Sequence, residues 1–145
     1  MHSKRTKSSL SGLPSLLIAL GGQSVENLKT CERYLVGANK WSGLPPLNEA
    51  RMLPGSLLLK SLEAFCFCGG LAPQNFINRI EKMRVECEAN WRTLPLDSRI
   101  AKTYHIAGVS FRSKIMLFGG VSSASYNMYA LMRKGSWWMT SPKTH

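Results

Sequence analysis

Leu16-Leu17-Ile18-Ala19-Leu20-Gly21-Gly22 is an unbroken apolar run that stops at two glycines, and the same device returns twice further along. Phe65-Cys66-Phe67-Cys68 leads into Gly69-Gly70, and Ile115-Met116-Leu117-Phe118 into Gly119-Gly120. The steps are 48 residues (21 to 69) and 50 residues (69 to 119). A tryptophan follows each pair at a similar distance (Trp41, Trp91, Trp138), and a proline stands four residues beyond each tryptophan (Pro45, Pro95, Pro142). Self-similarity at a fixed period of about 50 residues is the mark of stacked supersecondary units, none of which buries its apolar faces alone.

Each element of the pattern has a physical reading. Four or five apolar residues in a row suit a short strand buried on both faces. Two glycines after it suggest a turn or a close backbone approach, because glycine weakens a strand interior. The tryptophans sit among polar neighbours (Asn39-Lys40-Trp41, Ala89-Asn90-Trp91). A recurrent indole in that setting implies an equivalent slot against an adjacent unit. Proline cannot donate to a sheet ladder and marks the end of the strand.

Reading outward from these anchors gives four strands a–d per repeat. The second repeat has strands at about 53–59, 64–68, 79–85 and 90–94. The third has them at about 103–111, 115–118, 126–132 and 137–140. The first shows strands b (16–20), c (31–36) and d (40–43) but no evident strand a. The expected organisation is a disordered basic tail over 1–14, a partial blade over 15–45, blades over 46–95 and 96–142, and a short tail over 143–145.

These features resemble the kelch-repeat family of β-propellers. The resemblance rests on the diglycines Gly21-Gly22, Gly69-Gly70 and Gly119-Gly120, on Tyr34 seven residues before Trp41, and on Trp-x-x-Leu-Pro at Trp41–Pro45 and Trp91–Pro95. Arg51 and Arg99, opening the next strand a, also fit. It covers 16–142. Met83 departs from the expected tyrosine, Trp137-Trp138 leaves one residue of register open, and Ser141 replaces the leucine before Pro142. The implied fold is all-β, built of antiparallel four-stranded blades, open and incomplete.

The length of 145 residues falls short of a closed propeller, which takes four to eight blades. An open stack exposes two apolar faces. Three readings follow: a piece of a longer product, closure by association of several chains, or an aggregation-prone product.

The 19 Lys and Arg against 8 Asp and Glu give a net charge of +11. The basic residues are scattered singly over turns and strand ends, with one cluster at Lys4-Arg5-x-Lys7, so solvated turns are favoured over a nucleic-acid groove. The four cysteines (Cys31, Cys66, Cys68, Cys87) have no partner pair at zinc-ligand spacing; buried reduced thiols in a reducing, cytoplasmic setting are expected. Residues 2–21 also carry a basic-then-apolar pattern like a signal peptide, but 16–20 is required as strand b. No stretch is long enough to span a membrane as a helix.

Nothing in the sequence argues for catalysis, a metal or a cofactor. His105 is the one histidine away from the ends, short of the converging His and Tyr set of a copper-radical oxidase. Glu81, Glu86 and Glu88 read as solvated, and no serine has a recognisable base beside it. Function is therefore expected on the longer loops, b–c and d–a, which share one rim. Gln74, Asn75 and Phe76 either offer polar contacts beside an aromatic anchor for a protein partner or, in the case of Phe76, simply cover the blade. Arg51 and Arg99 could each either take a partner's carboxylate or tie down loops. The expectation is a non-enzymatic protein-binding module, an adaptor or substrate-recruiting arm like the kelch propellers joined to BTB or F-box domains. The alternative is a piece of a kelch-fold enzyme of the oxidase or sugar-epimerase kind.

Overall fold

In a computed structural model the chain is all-β, with no helix among the described residues: 4–72, 75–77, 79–87, 89–95, 104–112, 114–121, 129–132 and 137–139. Three antiparallel sheets of four strands follow one another along the sequence. The first is β1 (Ser9–Leu13), β2 (Leu16–Leu20), β3 (Cys31–Leu35) and β4 (Lys40–Leu44). The second is β5 (Gly55–Leu58), β6 (Glu63–Phe67), β9 (Arg79–Arg84) and β10 (Arg92–Pro95); between β6 and β9 lies a small hairpin of β7 (Gly70–Ala72) and β8 (Asn75–Phe76). The third is β11 (Tyr104–Phe111), β12 (Lys114–Val121), β13 (Tyr129–Met132) and β14 (Trp137–Met139).

Within each sheet every strand pairs with its successor, the meander of a propeller blade. Across the sheets, β5 touches β1 on one side and β11 on the other. The leading strands thus line one inner edge and the sheets stack face to face. Gly55 shows how close this edge is: a Cβ there would lie 2.3 Å from the Ile106 carbonyl oxygen. That contact leaves room for hydrogen alone.

Strand alternation sends the second sheet's side chains into two separate cores. Leu58, Ala64, Cys66, Met83 and Trp91 pack on Leu16, Ile18, Leu20, Cys31 and Leu47 of the first sheet and its exit loop. Leu57, Phe65, Phe67, Cys68 and Ile80 pack on Ile106, Ile115 and Leu117 of the third. This two-sided burial explains why β6 reads as a continuous apolar run. Trp91 is 4% exposed and donates its indole N–H to the Pro45 carbonyl at 2.8 Å, plugging the first interface. Trp41 stacks obliquely on Tyr34, with ring centroids 5.2 Å apart, and is only half-buried, because its face of the first sheet has no neighbouring sheet among the described residues.

The structure corrects several sequence expectations. The first repeat does have a strand a: β1 lies within the segment expected as a disordered tail, and pairs with β2 from Ser9↔Leu20 to Leu13↔Leu16. Its Ser-Leu-Ser-Gly-Leu composition conceals it, since small Ser9 and Ser11 hold two of the three inward positions and Leu10 faces out. The loop after the second diglycine contains the β7–β8 hairpin.

The diglycine phase slips by one residue. Gly21 and Gly22 have φ of 58° and 105°, and the matching pair in the second sheet is Cys68 and Gly69, at 48° and 84°. Gly70 instead begins β7, while Gly119 takes φ of 78° and Gly120 lies within β12. In the first sheet both positions press on a carbonyl, a Cβ on Gly21 lying 2.7 Å from that of Arg51, and the second sheet keeps glycine at the second position alone. A Cβ on Gly22 would meet the Thr6 carbonyl at 2.6 Å, and one on Gly69 the Met52 carbonyl at 2.9 Å. Finally, β14 pairs Trp137 with Leu131, as β4 pairs Trp41 with Tyr34. Trp137 thus holds the register place expected of Trp138, which pairs with Ala130.

Candidate functional site

The rim carrying the b–c and d–a loops is a continuous layer of polar bonding. Its centre is Arg51, in the connection between the first and second sheets. Arg51 is fully buried, and its Nε and Nη2 donate to Glu81 Oε1 at 3.2 and 3.0 Å. Its Nη1 donates to the carbonyls of Cys68 and Arg79, both at 2.8 Å. Glu81 Oε2 accepts from the backbone N–H of Asn48 at 2.6 Å, and Asn48 Nδ2 donates to the Trp91 carbonyl at 2.9 Å. One guanidinium therefore closes the ends of strands b and c and ties them to the d–a connection. Such multidentate geometry suits arginine and no other cation.

Of the two readings open for Arg51, loop-tying is the one found; its carboxylate partner is internal. Glu81, expected to be solvated, is 1% exposed for the same reason. Arg5 repeats the arrangement in the first sheet: its guanidinium bonds Glu32 at 2.6 Å and the carbonyls of Gly21 and Thr30 at 3.0 and 2.8 Å. The basic cluster 4–7 is accordingly part of the fold, with Lys7 Nζ also donating to Gln23 Oε1. Sequence reasoning missed Arg5 and Glu32. The signal available was the step from Arg51 back to Arg5, close to the repeat length.

The pairing register places Glu32 opposite Ala19 and Glu81 opposite Cys66. In the third sheet the same place, opposite Leu117, is held by Tyr129. The carboxylate of the clamp does not recur there.

Backbone bonds complete the layer. Leu47 N–H donates to Lys29 O, Arg51 N–H to Leu28 O, Gly22 N–H to Arg51 O, and Thr6 and Gln23 exchange both of their bonds. Above this braced base, Val25 is 96% exposed at the tip of the first b–c loop. An exposed ion pair joins Arg79 and Glu49. Asn75 and Phe76 form β8 of the second b–c loop; Gln74 and Arg99 lie outside the described residues.

Burial pushes the Cys31 and Cys66 thiols up to about 12 from 9.0, so neither is a thiolate at neutral pH. Among the described residues, no three His, Cys, Asp or Glu side chains gather where a metal ion could be held. No described helix is long and apolar enough to cross a membrane. The sequence matches no protein-family model and no curated protein.

Proposed function

We propose that this chain is a non-enzymatic protein-interaction module of the kelch-propeller type, an adaptor or recruiting arm that presents its b–c and d–a loops to a protein partner. The observation that carries this reading is the contrast between the rims. On the opposite rim the described a–b turns are tight, such as the one at Lys60–Leu62, where Leu62 N–H donates to Leu59 O. The b–c and d–a rim instead stands on a buried bonded base and carries the longer loops. Long loops on a rigid scaffold are the usual location of recognition surfaces.

Within that rim, Gln74, Asn75 and Phe76 supply an aromatic anchor with amide groups beside it, and Val25 adds an exposed apolar tip. Arg99 follows Arg51 at a step of 48 residues. A guanidinium there suits a bidentate contact with a carboxylate on the partner. Arg51 itself belongs to the scaffold.

Affinity capture with matched variants tests the proposal. Proteins retained by the parent and by the opposite-rim variant Lys60→Ala should be lost with Phe76→Ala and Arg99→Ala. Equal retention by all four would refute it.

A further inference from the structure

We propose that the chain pairs head to tail with a second copy of itself, the outer face of each first sheet receiving the outer face of the other copy's third sheet, to close a ring of six sheets. This rests on the blade reading of the sheets and not on the loop reading above, so either can fail alone.

The internal interfaces define what each outer face is built to meet. On the first sheet, Leu17, Ala19, Tyr34 and Trp41 occupy the register places that Ala64, Cys66, Met83 and Trp91 occupy on the second. On the second sheet those side chains are buried against a neighbouring sheet. On the first, Trp41 and Tyr34 are half-buried, and Leu10 of the inner strand is 63% exposed.

The other end of the stack complements it. Val109, Met116 and Phe118 of the third sheet take the places of Leu57, Phe65 and Phe67, which bury against a following sheet. Phe111, at the end of the same row, is 56% exposed. One face has the receiving pattern and the other the inserting pattern. A sheet of this same chain therefore matches either end in its apolar pattern, with Leu10 standing where Ser56 and Gly108 stand inside the chain.

Heterologous contacts of this kind close into a ring or run on as a fibre. Closed propellers contain four to eight blades. One copy supplies three sheets and three copies would supply nine, so two copies close the ring.

The internal interface also fixes a distance. A Cβ on Gly108 would lie 3.6 Å from Leu57 Cβ, inside the ~3.5–4.5 Å window of a disulfide, and 2.9 Å from the Phe67 ring, which would have to turn aside, as Phe118 must for Leu10 in the ring. Leu10 holds the register place of Gly108, and Val109 that of Leu57. In the ring, Leu10 of one copy should face Val109 of the other at that separation.

Light scattering on the 145-residue chain should give a single species of twice 16.1 kDa. Leu10→Asp and Phe111→Asp change exposed positions, and each should keep the strand signature in circular dichroism while weakening pairing at least tenfold. Mixing the two should restore part of the dimer, because one of its two contacts is then unaltered. A monomer, an undefined aggregate, or a dimer disrupted by only one variant would overturn the proposal. Independently, Leu10→Cys/Val109→Cys in a Cys87→Ser background, which removes the exposed native thiol, should oxidise to one covalent dimer. No cross-link, or a ladder of longer multimers, would also overturn it.

Discussion

Arg51 shows how much of the architecture one side chain can organise. It is buried with its charge satisfied by Glu81 and two carbonyls, so removing it strands a carboxylate in the interior. Breaking a buried pair by deleting one partner costs about 3–5 kcal/mol, and Arg51→Ala should destabilise the chain by that order in urea titration. Arg51→Lys should fail to rescue most of the loss, since an ammonium cannot reproduce the fork. A change below about 1 kcal/mol would mean that the clamp is not formed. The thiols provide a second check. In the unfolded chain Cys66 gives up its proton near pH 9.0, whereas in the folded chain burial holds it to about 12. The folded state binds the extra proton, so stability is intact below pH 9 and falls as pH rises toward 12. Between pH 8 and 10, Cys66→Ala should lose less stability than the parent, by up to about 1 kcal/mol. Identical slopes would argue against a buried thiol.

At the scale of the element, Trp91 and Trp41 are the same residue in the same register place with different surroundings. Trp91→Ala should cost about 3–5 kcal/mol, the value for a large buried aromatic. Trp41→Ala should cost clearly less in the isolated chain, because half of its slot is missing. Equal losses by thermal or urea melting would contradict the interface described for Trp91. The strands were mostly legible in the sequence, because apolar runs, diglycines and turn residues each carry local physical meaning. β1 was not, since Ser9, Ser11 and Gly12 give no apolar alternation. The Arg–Glu clamps were hidden for another reason: a buried ion pair joins residues 30 apart, and nothing local distinguishes Glu81 from the solvated Glu86. The one-residue slip of the second diglycine was equally invisible, because Cys68 adopts a conformation for which glycine is the usual signal.

For the whole molecule, the governing fact is a stack whose inner strands touch in sequence order and whose two outer faces are apolar. The ring inferred from those faces brings together copies that each carry +11, so their long-range fields repel. Raising salt screens that repulsion. Dimer affinity should therefore rise, not fall, between low and moderate salt in sedimentation equilibrium; a fall would point to a contact held by opposite charges. Beneath this lies the central claim, that three four-stranded sheets stand face to face with β5 between β1 and β11. A nuclear Overhauser spectrum of the isotope-labelled chain tests it most directly. Cross-peaks from Gly55 to Ile106 and from the Trp91 indole N–H to Pro45 are predicted, linking the second sheet to both neighbours. A well-dispersed spectrum lacking either contact would contradict the stack.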